Sequence, residues 1–172
     1  MRLIQFKENG YKHVNFNINS RSELGSILDS LREMNIPGLK IEKELFFHSI
    51  SELVNNSICA HLEKNIKEPV RLRFSLESDD LIITIRDRGK GFDTNDLPYN
   101  LDDPVSAIDI NGKKFQIYRE KNNYKKFGTG LFNAKKIFDT FELFFFDEKG
   151  SFLPYNASHI DGTLIKLKTK LS

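Results

Sequence analysis

Leu81-Ile-Ile-Thr-Ile-Arg-Asp87-Arg-Gly-Lys-Gly91 reads as a strand that runs into a glycine turn, with an acid as its last strand residue. Leu81, Ile83 and Ile85 share one face of a period-two run, so Asp87 falls on the same, core-facing side. A carboxylate on a buried face costs on the order of several kcal/mol unless something donates to it. The exocyclic amino group of adenine is a suitable donor; a tight turn with a self-capped aspartate is the alternative. Gly89 and Gly91 remove side chains where a flat base would approach the backbone. No third glycine and no helix follow, which excludes a dinucleotide-binding turn of the Rossmann type.

Upstream, Val70, Leu72, Phe74 and Leu76 form a second alternating run, joined to the first by the turn Ser78-Asp-Asp80. Before that hairpin a helix is expected from about Ile41 to Glu63, with Phe46, Ile50, Leu53, Val54, Ser57 and Ile58 as its apolar stripe. Ser20-Arg-Ser-Glu23 is a capping-box pattern ahead of Leu24, Ile27, Leu28 and Leu31, so a shorter helix begins there and ends at Asn35-Ile-Pro-Gly38. Residues 2–7 and 13–19 read as strands. Downstream, residues 93–127 are polar, with Pro98 and Pro104 and no clear period; a stretch of that length in a small domain reads as a lid. A helix from about Gly130 to Thr140 and strands at 141–146 and 163–171 complete the chain. The expected fold is α+β: a two-layer sandwich over residues 1–172, helices on one face of a mixed, mainly antiparallel sheet.

Glu52 and Asn56 are one helical turn apart and therefore share a face. An amide oxygen beside a carboxylate suits a magnesium ion and a hydroxyl or water that must lose a proton; a solvated polar face is the plainer reading. Thr163 shares a strand face with Ile165 and Leu167, which puts a hydroxyl at the end of an apolar row. It either pairs with Asp87 around a base or bonds a nearby carbonyl. Gly128-Thr-Gly130 stands before Leu131-Phe-Asn-Ala, where free amides at a helix start bind phosphate and glycines let the backbone wrap it. Lys125 and Lys126 either help neutralise that phosphate or are simply solvated. The motif G-x-x-x-x-G-K-[ST] is absent, so this is not a P-loop.

Composition narrows the class. Of 172 residues, 39% are hydrophobic and 29% charged, as in ordinary globular proteins. A formal net charge of +2 does not argue for nucleic acid or a membrane surface. There is no apolar run long enough to span a bilayer, and Met-Arg-Leu-Ile-Gln-Phe-Lys does not read as a signal peptide. One cysteine, Cys59, allows no internal disulfide and fits a reducing cytoplasm, while Cys59-x-His61 reads as a helix coincidence rather than half a zinc site.

Taken in order, the Glu52–Asn56 box, the Asp87–Gly91 box, the Gly128–Leu131 box and the Gly162-Thr163 strand resemble the GHKL superfamily, which holds gyrase, the large heat-shock chaperone, histidine kinases and MutL. The resemblance spans roughly residues 13–171 and implies the two-layer Bergerat fold, with ATP and Mg²⁺ as cofactors. It implies that Glu52 activates the attacking group and Asn56 binds Mg²⁺. Asp87 would bind the adenine amino group, with Gly89, Gly91 and Thr163 around the base. Lys126, Gly128, Thr129, Gly130 and Leu131 would hold the phosphates under the lid. Phe132 departs from the pattern, since that position is often small or glycine.

Within the superfamily the N-terminal strand, capped helix and long box-bearing helix look like the bacterial anti-sigma-factor serine kinases. Glu52 agrees, because histidine kinases carry asparagine there and use their own histidine as nucleophile. No His-Glu-x-x-Thr phosphoacceptor or two-helix dimerisation region appears. The leading expectation is a Mg-ATP-dependent protein serine/threonine kinase that restrains a regulatory partner, such as a sigma factor or an antagonist protein, and that can form a homodimer. A non-catalytic, ATP-gated binding module and an ATPase clamp of the gyrase or MutL type are the alternatives.

Overall fold

The computed structural model describes residues 2–122 and 127–172. The chain runs through β1 (Ile4–Phe6), β2 (Asn9–Tyr11), β3 (His13–Ile18), α1 (Arg21–Arg32), α2 (Lys43–Lys64), β4 (Val70–Glu77) and β5 (Asp80–Asp87). It continues through α3 (Lys113–Lys121), α4 (Phe127–Ile137), β6 (Thr140–Phe146), β7 (Phe152–Leu153) and β8 (Gly162–Lys170). Six strands form one sheet in the order β3-β4-β5-β8-β6-β7, and every neighbouring pair runs antiparallel. The parallel component of a mixed sheet is thus missing among the described strands.

Period-two alternation places Val14, Phe16, Phe74, Ile83, Ile85, Ile165 and Leu143 on one sheet face, opposite one another in register. Onto that face pack α1 through Leu24 and Leu31, and α2 through Phe46, Ile50, Leu53, Val54 and Ile58. Phe46 knits the layers together, its ring 6.4 Å from that of Phe74 on the sheet and 5.8 Å from that of Phe138 just beyond α4. The capping box at α1 forms with a shift. The Ser20 hydroxyl accepts from Glu23 N, but the Glu23 carboxylate reaches back to Asn19 N at 2.6 Å, one residue earlier than the usual partner. At α2 the Glu42 carboxylate accepts from the Glu44 and Leu45 amides, and those two bonds hold its pKa below the ordinary range. Asn65 in the left-handed conformation closes the helix.

Three elements differ from the sequence expectation. The strand expected over 2–7 is half of a hairpin, β1 with β2, turned by Lys7 and Glu8 at φ 48° and 64°. Neither is a residue that announces such a turn. Helix α3 lies within the segment read as an irregular lid; only Phe115 among its nine residues is buried, so it leaves no apolar stripe to read. The two-residue β7 is too short to show alternation.

Candidate nucleotide site

Helix α2 lines two neighbouring regions. Toward its C-terminal half it meets the end of β5. There Asp87 is buried, and its Oδ2 accepts from Ser57 Oγ at 2.7 Å while Oδ1 accepts from Gly89 N at 2.8 Å. Burial raises the Asp87 pKa, and the bonds from Ser57, Gly89 and the Thr163 backbone only partly offset it. Thr163 is the register partner of Asp87 on β8 and is equally buried, so the expected pair at the end of the apolar rows is in place. With three donors already on it, the carboxylate keeps about one of its four acceptor sites for an incoming amino group.

The two glycines of this turn work differently from the sequence reading. A Cβ on Gly89 would stand 2.8 Å from the Ala60 methyl, and one on Gly91 would stand 3.0 Å from Ile160 side-chain carbons. The space they spare is filled by protein rather than left for a base. Gly89 lets the turn lie against α2, and Gly91 supplies a positive φ of 65°. His61, one turn beyond Ser57, accepts from Arg88 N through Nε2 at 2.7 Å and so pins the same turn to α2. Neighbouring Cys59 accepts from Arg21 Nη2 at 3.0 Å, so the Cys59-x-His61 pair is used in two separate structural contacts.

Toward α4, Glu52 and Asn56 face the first turn of that helix. A Cβ on Gly130 would lie 3.5 Å from Glu52 Oε2 and 3.6 Å from Asn56 Nδ2. Glu52 Oε1 is 3.5 Å from His48 Nε2, whereas buried Oε2 has no hydrogen-bond partner among the described residues. An orphaned carboxylate oxygen in a polar recess is unusual, because the cost of leaving it unbonded is on the order of 1–3 kcal/mol or more for a charged group. Helix α4 begins at Phe127, so Gly128, Thr129, Gly130 and Leu131 lie inside its first turns rather than in a turn that precedes it. The amides of its first four residues have no partner within the helix. Lys126, and Lys125 beside it, lie outside the described residues.

Between the two glycine boxes the described part of the segment read from sequence as a lid is held by aromatic packing. Tyr99 stacks on Phe115 at 5.6 Å, and Phe132 meets both rings edge-on at 6.3 Å. Phe132 is therefore the socket on α4 for this segment. Lys135, one turn on, donates to the backbone carbonyls of Leu101 and Asp103.

The sequence reading thus brought Asp87 together with Thr163, and Glu52 and Asn56 together with Gly130. It missed Ser57 and His61, whose signal was a hydroxyl and an imidazole on the sheet-facing side of α2. The arrangement fits an adenine nucleotide: a buried acceptor at one end, and at the other the start of α4 beside a carboxylate oxygen without a partner among the described residues. A profile of the histidine kinase-, DNA gyrase B- and HSP90-like ATPase family matches residues 42–152. The chain belongs to this family. It is an ATP-binding domain of GHKL type, and the match takes in all three boxes while stopping short of Gly162 and Thr163. A comparison with curated proteins gave no match. No helix among the described residues of this GHKL domain is long and apolar enough to cross a membrane.

Proposed function

We propose that this GHKL domain is a Mg-ATP-dependent protein serine/threonine kinase of the anti-sigma-factor type, acting on a regulatory protein in the cytoplasm. The observation that carries the reading is Glu52 Oε2, which has no hydrogen-bond partner among the described residues and lies beside Asn56 and the first turn of α4. A protein hydroxyl is a poor nucleophile until it loses its proton, and a carboxylate oxygen without a competing donor is free to take it. The Asn56 side-chain oxygen is a hard ligand suited to Mg²⁺, whose charge would offset that of phosphates beside Glu52. Asp87, with Thr163 beside it, takes the adenine amino group, and the amides of Gly128, Thr129 and Gly130 take phosphate oxygens. Leu131 packs behind them, and Gly89 and Gly91 shape the turn that bears Asp87.

Two variants separate binding from chemistry. Glu52→Ala is expected to keep Mg-ATP affinity while phosphotransfer slows by roughly 10²–10⁴-fold, the usual worth of a positioned base. Asn56→Ala is expected to weaken Mg-ATP binding as well as transfer. The measurements are calorimetric affinity and single-turnover transfer to a candidate acceptor, beginning with sigma factors and small antagonist domains encoded nearby. Wild-type transfer by Glu52→Ala would remove this carboxylate from the chemistry.

The aromatic lid socket supports a second reading, an ATP-gated binding module that changes shape without turnover. Binding of ATP with no transfer to any acceptor, but with a nucleotide-dependent change in partner affinity, would favour it.

A further inference from the structure

The sheet face turned away from the helices carries a cluster of arginines that the fold does not neutralise. Asn17, Arg71, Arg86, Leu164 and Phe144 lie side by side across five strands, and Arg73, Thr84 and Lys166 form the next row. Arg71 and Arg86 stand directly opposite each other in register. Elsewhere on this face the charges are paired: Lys168 with Asp80 at 2.8 Å, Lys166 with Glu142 at 3.9 Å, Arg88 with Glu68 at 4.0 Å. Among the described residues, Arg71, Arg73 and Arg86 have no carboxylate within salt-bridge distance. Burial and the neighbouring charges of Arg88 and Arg71 press the Arg86 guanidinium below its ordinary range. Like charges placed opposite on a sheet are destabilising unless something compensates them. A cavity of about 490 Å³ opens over these arginines between β3, β4 and β5.

We propose that this arginine face docks an acidic segment of a partner protein, with apolar residues interleaved among its carboxylates. Guanidinium forks pair with carboxylates in two-point geometry. Same-face positions repeat about every 6.7 Å along a strand and about 4.8 Å across strands, spacings that alternate acids on an extended chain can meet. Leu164 and Phe144 offer apolar contact at the end of the row. Single-stranded nucleic acid fits less well, since it binds by stacking bases on open rings. Here the Phe146 ring is buried beneath Arg86 and Arg88, at 4.2 and 5.4 Å, and Phe144 is stacked on Phe152 at 4.7 Å. The face lies across the sheet from the nucleotide site, so the inference does not rest on phosphotransfer and survives its failure.

The test titrates the full chain into a fluorescent peptide that alternates glutamate with leucine and serine, and into an oligothymidylate of equal charge. The peptide is expected to bind at low salt and weaken at physiological salt. Reversal of the exposed Arg71 and Arg73 together to glutamate is expected to weaken it at least about tenfold, as for close charge pairs at interfaces. Lys43→Glu, on the helix layer, is expected to leave it unchanged. Arg73→Gln, a milder change, is expected to lose a few-fold, which keeps the test valid should the double reversal not fold. Retained ATP binding shows that each variant is intact. No peptide binding, equal binding to the Arg73→Gln protein, or tighter binding of the oligothymidylate would each overturn the proposal.

Discussion

Asp87 is held by protein groups on two sides, and its burial disfavours the charged form. Its folded pKa lies above the ordinary value of 3.8, with burial as the main cause. The folded chain therefore holds this proton more tightly than the unfolded chain does. Stability is unburdened below the ordinary value, and the burden grows as pH rises through the raised folded value. Asp87→Asn can keep both local bonds, its oxygen on Gly89 N and its amide on a rotated Ser57 hydroxyl. Its melting temperature relative to wild type is expected to climb with pH across that window and then level off; a pH-independent difference in thermal melts would contradict the burial argument. The same carboxylate sets nucleotide choice. Adenine presents an amino group where guanine presents a carbonyl, so ATP is expected to bind and GTP not. Asp87→Ala is expected to weaken ATP binding by roughly 1.5–3 kcal/mol, the worth of a charged hydrogen bond. Equal calorimetric affinity for ATP and GTP would remove Asp87 from base recognition.

At the level of elements, the described residues between the two glycine boxes pack around a small core of their own. Phe115 is fully buried between Tyr99 and Phe132, so the anchor belongs to α4 and the load to α3. Truncating Phe132 to alanine removes both edge-on contacts and leaves a cavity, at a cost of about 3–5 kcal/mol. Limited proteolysis is expected to show faster cleavage within residues 93–122 and unchanged cleavage elsewhere. Equal cleavage of both proteins in that segment would deny Phe132 its anchoring role. This anchor also shows where sequence reading ends. Alternating runs exposed β3, β4, β5 and β8, and an apolar stripe exposed α2, because each repeats a buried position several times. Helix α3 buries one side chain and β7 has two residues, so neither repeats anything. Glu52 and Asn56 were legible through their one-turn spacing. The bonds from Ser57 to Asp87 and from Arg88 to His61 cross between α2 and β5, and only the assembled layers define them.

At the scale of the whole molecule, one helix serves both halves of the site while one strand completes it. Strand β8 pairs with β5 on one side and β6 on the other, and it brings Thr163 to Asp87. The expectation of helices on one face of a mainly antiparallel sheet holds, with short connections only at β4–β5 and β6–β7, while α1 and α2 lie between the paired β3 and β4. Strand β8 pairs on one side with β6, made shortly before it, and on the other with β5, made much earlier. During synthesis β3, β4 and β5 leave the ribosome long before it does, and until then β5 has an open edge of unpaired amides and carbonyls. Pairing at such sequence separation is slow, because loop closure precedes any reward from contacts. A nascent or truncated chain lacking β8 is thus expected to leave Asp87 without Thr163 and to be adhesive along the open edge of β5 until β8 is released.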